Sequence, residues 1–226
     1  LFDTQTSFKD KALESFAYQS EHCLVYKQYL SFLNIKPSKV STIDQIPYLP
    51  IEFFKTHKII CGSKKPTVTF TSSGTSGQSL SQHYITDITK YENSFLNGFE
   101  YFFGDPKNYR ILALLPSYLE RKGSSLVYMC QHLINKSDDE SSGFYLNNYE
   151  KLASILSKQT SKKTILFGVS YALLDMAEQF PQALENTIVM ETGGMKGKRP
   201  EMTKNELHSI LKQAFHLKHI YSEYGM

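Results

Sequence analysis

The sequence predicts an α/β fold in which a mostly parallel sheet carries helices on both faces. Three observations lead there. In the second half, short apolar runs such as RILALLP, TILFG and NTIVME alternate with helix-period stretches such as SSLVYMCQHLI and SYALLDMAEQF. The composition, 41% hydrophobic and 13% aromatic, suits a packed core and not a disordered chain. No internal repeat or low-complexity linker interrupts the 226 residues. They read as one continuous domain with an N-terminal helical and wrapping segment over 1–57 and an α/β core over 58–226.

Taken in order, Ser7 to Asn34 reads as helix, because Leu13, Phe16, Ala17, Leu24, Leu30 and Leu33 recur at helical spacings. KPSKVSTIDQIPYLPIEFF carries three prolines and reads as an irregular surface wrap with a short helix near Ile51 to Thr56. KIIC, TVTFT and QHYIT are β-branched and read as strands, so TSSGTSG joins two strands. Asp87 caps a helix running to about Phe103, with Tyr91, Phe95, Phe99 and Phe102 on one stripe. RILALLP is a buried strand and SSLVYMCQHLI a helix. Tyr149 to Lys158 is a helix, TILFG a strand, SYALLDMAEQF a helix and NTIVME a strand. Thr203 and Glu206 form a capping box for a helix ending near Phe215, and HIYS is the last strand.

Composition removes several function classes. The net charge is only +3, and Lys and Glu alternate without a basic tract, so no nucleic-acid footprint is present. No run reaches the roughly 18 apolar residues of a membrane span, and the start carries no secretory signal. Cys23, Cys61 and Cys130 are odd in number, widely spaced and set among apolar residues. They read as buried free thiols in a reducing cytoplasm. A catalytic cysteine is the lesser reading, since none stands beside a Gly turn or an evident His partner.

Parallel sheets bind ligands at the carboxyl ends of their strands. Here the strands exit into SSGTSG, PSYLERKGSS, GVS, ETGG and EYGM. Glycine lets a ligand approach the backbone and small hydroxyls supply donors. Five such exits together point to a binding cleft. TFTSSGTSGQ, Thr69 to Gln78, is open to two readings, a flexible surface loop or a cradle of backbone N–H groups and hydroxyls for phosphate.

Three common motifs fail. Gly74 and Gly77 are too close for a P-loop, and Gln78 stands where its Lys belongs. ETGGMKGKR does not match the dinucleotide fingerprint. Gly168-Val169-Ser170-Tyr171-Ala172 lacks the second Gly of a nucleophile elbow. Ser170 reads instead as a helix N-cap.

TSSGTSG at 71–77, GG at 193–194 and YGM at 224–226, in that order, resemble the adenylate-forming superfamily of acyl-CoA synthetases, firefly luciferase and nonribosomal adenylation domains. IPYLPIEFFKTH, LLPSYLERKGSSLVYM, GVSYALLDMAE, VMETGGMKGKR and IYSEYGM are similar to the acyl-protein synthetase (LuxE-type) branch, related to phenylacetate–CoA ligases. The similarity spans residues 46 to 226. It implies the large N-terminal domain of such an enzyme. ATP and a carboxylic acid, in this branch a fatty acid, give an acyl-adenylate and pyrophosphate. The acyl group then passes to a cysteine of the synthetase and on to a partner protein, a fatty acid reductase. In the CoA ligase branch the acceptor is CoA.

The resemblance assigns phosphate binding to Thr71, Ser72, Ser73, Gly74, Thr75, Ser76 and Gly77, with Ser73 and Thr75 as the catalytic donors. It places the adenine or acyl carboxylate against Gly193 and Gly194, and nucleotide against Tyr224, Gly225 and Met226, with Tyr224 stacked on the adenine. Mg²⁺ is expected on a Glu of a Thr-Glu pair following Met226. A ribose-binding Asp, a lid Lys and the acyl-accepting Cys are expected further on. The 226 residues alone are therefore expected to fold without turning over. The pattern departs after Gly77, where Gln78, Ser79 and Leu80 replace the usual Pro and Lys, a loss for which His83 or a residue beyond the chain could compensate. Tyr118 lines an acyl pocket or merely packs, and Arg121 reads as solvated. The other readings are a CoA ligase of the phenylacetate type and a non-catalytic nucleotide- or acyl-binding module.

Overall fold

The computed structural model describes residues 6–72, 80–116, 123–146, 148–158 and 160–223. The chain divides into two compact units, Leu1–Ser94 and Phe95–Met226.

The first unit opens with α1 (Phe8–His22), whose N-cap Ser7 accepts the Asp10 backbone N–H, followed by α2 (Leu24–Phe32). The sequence predicts one helix here. The break falls at Cys23, which is extended (φ −100°, ψ 106°) and bridges Cys61 in antiparallel fashion. The Gly62 N–H donates to the His22 carbonyl at 2.8 Å beside that bridge. A long-range pairing has overridden local helix preference, which is weak at cysteine. KIIC, expected as a strand, contributes only this one bridge. Phe16, Tyr26, Leu30 and Ile46 bury a small core around Cys23. The proline-rich wrap holds two 3₁₀ turns, at Pro37–Lys39 and Ile43–Gln45, and α3 (Phe53–Thr56). β1 (Val68–Thr71) and β2 (Gln82–Ile85) then pair antiparallel, with Thr71 opposite Gln82, so the Ser/Thr/Gly stretch does join two strands.

α4 (Ile88–Phe103) starts in the first unit and ends in the second. Asp87 caps it by accepting the Thr89 N–H at 3.2 Å. Its aromatic stripe differs from expectation at one place. Phe102 is 75% exposed, and Phe103 packs against Phe99 instead. The 4,4,4 spacing of Tyr91, Phe95, Phe99 and Phe103 keeps the stripe on one face.

The second unit is an all-parallel sheet in the order β4-β3-β5-β6-β7. Its elements are β3 (Tyr109–Leu114), α5 (Ser125–Lys136), β4 (Gly143–Phe144), α6 (Tyr149–Leu156) and β5 (Lys163–Val169). α7 (Ser170–Gln179), β6 (Thr187–Thr192), α8 (Lys204–Phe215) and β7 (Tyr221–Ser222) complete it. β3 is buried along its whole length and β5 from Thr164 on, the state of strands covered on both faces. Thr203 and Glu206 form the expected capping box of α8. Arg110, buried at the start of β3, donates to Thr164 Oγ1 at 3.0 Å and to the Ile155 carbonyl at 3.2 Å. It thereby satisfies a last-turn carbonyl of α6. Among the described residues no helix is long and apolar enough to cross a membrane.

Candidate functional site

The register of the parallel sheet builds the site. Leu114 pairs with Gly168, Gly168 with Glu191, and Glu191 with Ser222, giving one row near the carboxyl edge. Val169 pairs with Thr192 in the next row. The turn from β5 into α7 takes no loop residue, because Val169 is still extended and Ser170 is already helical. A Cβ on Gly168 would lie 2.5 Å from Leu173 Cγ, so the glycine lets the first turn of α7 fold back against the strand end.

Ser170 is therefore not the helix N-cap that the sequence suggests. Val169 holds that position, without a side-chain cap bond. The Ser170 hydroxyl is buried, 1% exposed, and donates to Glu191 Oε2 at 3.2 Å. Ser222 Oγ donates to Glu191 Oε1 at 2.6 Å, and His208 Nε2 from α8 stands 3.5 Å from the same oxygen. One buried carboxylate thus ties β6 to α7, β7 and α8. Beside it, Thr192 Oγ1 donates to Glu223 Oε2 at 2.9 Å, and the Glu223 N–H donates to the Glu191 carbonyl at 2.9 Å.

Burial pushes the Glu223 carboxyl above the ordinary carboxylate range. The Thr192 hydroxyl pulls the other way, and the neighbouring Glu191 charge adds to the rise. Between the unfolded and the raised folded value the folded chain holds the extra proton, so stability falls as pH rises through that window and stays lowered above it. Glu223→Gln carries no charge to desolvate. Its melting temperature relative to the wild type should therefore climb as pH is raised from about 4 toward 8. A difference independent of pH in thermal unfolding would exclude this explanation. The Cys130 thiol on α5 is fully buried, and burial, with a contribution from Glu223, pushes its pKa up. It is a core residue and not a nucleophile.

Gly193 and Gly194 come directly after β6, with φ of +68° and +61°, a conformation that favours glycine. Among the described residues, a Cβ on Gly194 would meet nothing within 4 Å. The segment beyond is pinned to α7. Arg199 Nε donates to Asp175 Oδ1 at 2.8 Å and Nη1 to Glu178 Oε1 at 2.7 Å. These bonds raise the Arg199 pKa and lower that of Glu178.

Thr71 ends β1, and Ser72 closes the hairpin. The Ser72 N–H donates to the Ser81 carbonyl at 3.0 Å, and Ser72 Oγ accepts the Ser81 N–H at 3.1 Å. Ser73, Gly74, Thr75, Ser76 and Gly77 lie outside the described residues, as do Tyr118, Arg121, Tyr224, Gly225 and Met226. Thr71 and Ser72 belong to the first unit, Gly193 and Gly194 to the second. The His83 ring stacks on Phe54 at 4.6 Å, and burial lowers its pKa, which disfavours the charged form.

The sequence alone does not single out Glu191, Ser222, Glu223 or His208. The available signal was a carboxylate at two strand exits, in TIVMETGG and HIYSEYGM. Their convergence needs the register, which the sequence does not display. Both Glu191 oxygens accept hydrogen bonds, from Ser170 and Ser222, and Glu223 accepts from Thr192. Among the described residues no group of three or more His, Cys, Asp or Glu could hold a metal ion. No protein-family model matches the chain, and no curated protein matches it.

Proposed function

We propose that the protein activates a carboxylic acid, in this branch a long-chain fatty acid, with ATP to form an acyl-adenylate and pyrophosphate. The acyl group then passes to a cysteine thiol of the synthetase and on to an acyl-accepting protein such as a fatty acid reductase. The observation that carries the reading is the carboxyl edge of the parallel sheet, where Gly168, Glu191 and Ser222 align in one row and lead into the turn of Gly193 and Gly194. In α/β sheets that edge is where nucleotides bind. The resemblance of TSSGTSG and YGM to the adenylate-forming motifs supplies the rest.

In this reading Ser73 and Thr75 donate to the pyrophosphate leaving group, with Thr71, Ser72, Gly74, Ser76 and Gly77 completing the phosphate loop. Tyr224, Gly225 and Met226 hold the nucleotide base. Mg²⁺, held by a Glu past Met226, would screen the phosphate charge. The Glu191 network acts as scaffold, fixing the strand ends on which Gly193 and Gly194 sit. The reaction would run in the cytoplasm, where ATP is supplied and thiols stay reduced.

The full-length protein should exchange labelled pyrophosphate into ATP only when a fatty acid is present. After incubation with labelled acid, a denaturing gel should show label on the protein that hydroxylamine removes. Label found only in acyl-CoA, and only with CoA added, would make it a CoA ligase instead. Absence of exchange with fatty and aryl acids alike would leave a binding module.

A further inference from the structure

Cys23 and Cys61 are far apart in sequence and opposite one another in space. They form an isolated antiparallel bridge at the kink between α1 and α2. The backbone bond flanking it runs from the Gly62 N–H to the His22 carbonyl, one residue outside the pair on each side. That pattern marks a non-hydrogen-bonded pair, in which the Cα atoms approach to about 4.5 Å and the side chains lie close. A disulfide needs Cα atoms roughly 4.4–6.8 Å apart. Both thiols are free, and Cys23 is among the groups that raise the Cys61 pKa.

The surroundings give the pair an approach. A cavity of about 360 Å³ in the first unit is lined by Phe16, Tyr26, Ile46 and Phe54 together with both cysteines. Cys23 is 2% exposed, whereas Cys61 is only partly covered. Cys61 is the more exposed of the two thiols. Cys130 lies in the other unit and is fully buried.

We propose that Cys23 and Cys61 form a dithiol modification site that peroxide converts to an intramolecular disulfide, locking the α1–α2 kink to the segment that leads into β1. The Cys61 thiolate attacks one peroxide oxygen, the O–O bond breaks and hydroxide leaves, giving a sulfenic acid. The Cys23 sulfur then attacks the Cys61 sulfur, the S–O bond breaks and a second hydroxide leaves. Two thiols lose two electrons, and with their two protons one hydrogen peroxide becomes two waters. Burial raises the Cys61 pKa, so the first step should quicken as pH rises.

The test uses the full chain in its folded state. Hydrogen peroxide is added, quenched, and free thiols are alkylated in denaturant before digestion without reductant. Mass spectrometry should find the Cys23 and Cys61 peptides joined and Cys130 alkylated. The oxidised protein should melt several degrees higher than the reduced one and return on adding dithiothreitol. Cys23→Ser should abolish the cross-link and leave a Cys61 sulfenic acid that dimedone traps. All three cysteines alkylated after peroxide, Cys61 driven to sulfinic acid in the wild type, or joined peptides only between chains would each overturn the proposal.

Discussion

Replacing Ser73 and Thr75 by alanine together should lower acid-dependent turnover by on the order of 10²-fold or more, the usual cost of deleting donors aimed at transition-state charge. The melting temperature should stay where it is. The β1–β2 hairpin is closed by its own ladder from Val68–Ile85 to Thr71–Gln82, and by the two bonds between Ser72 and Ser81. None of these uses the side chain of residue 73 or 75. Attack of a carboxylate on the α-phosphate puts charge on phosphate oxygens, and the protein's part in such a step is positioning and electrostatic stabilisation. Unchanged turnover together with a fall in melting temperature would make the stretch a structural loop and rule out the phosphate cradle.

Gly168→Ala should be the most damaging single methyl in the sheet. The added Cβ would stand 2.5 Å from Leu173 Cγ and 2.6 Å from Leu173 Cδ2. Leu173 is fully buried, so it has no room to swing away. Overpacking of this kind costs about 1–3 kcal/mol, and at this chain length each kcal/mol moves the melting temperature by about 2–4 °C. The contact can be isolated with Leu173→Ala, which alone creates a cavity costing about 2–5 kcal/mol. In the double variant the alanine methyl has space, so the combined loss should be smaller than the sum of the two. Strict additivity would show that the Leu173 contact is not the cause. Because β5 ends and α7 begins at this point, the variant should also disturb Ser170 and its bond to Glu191.

The order and type of the larger elements were legible because each carries its own local signal. RILALLP and TILFG are continuous apolar runs, and the Thr203–Glu206 box announces α8 ahead of its first buried leucine. What failed depended on partners far along the chain. Nothing near Cys23 marks the end of α1, since the cause is Cys61. β4 has two residues, too few to show a period, and exists only because Leu112 and Ala113 offer it a parallel edge. Phe102 and Phe103 both fit a helix face loosely, and packing against Phe99 chose between them. Ser170 begins a helix and so resembled a cap, but a buried carboxylate on the next strand gave its hydroxyl a better partner. The glycines at 193 and 194 were readable as a turn at a strand exit, whereas the part played by Glu191 was not. Its importance arises from the register that sets Gly168 on one side of it and Ser222 on the other.

Attack of a carboxylate oxygen on the α-phosphate of ATP leaves an atomic record. A fatty acid carrying heavy oxygen at both carboxyl positions is supplied to the full-length protein with ATP, Mg²⁺ and hydroxylamine as acyl acceptor. An acyl-adenylate is split between the acyl carbon and the bridging oxygen, so that oxygen stays with phosphorus. The expected product is AMP containing one heavy oxygen for each acyl group transferred, with none in pyrophosphate. Heavy oxygen in inorganic phosphate, or unlabelled AMP alongside acyl transfer, would contradict adenylate formation.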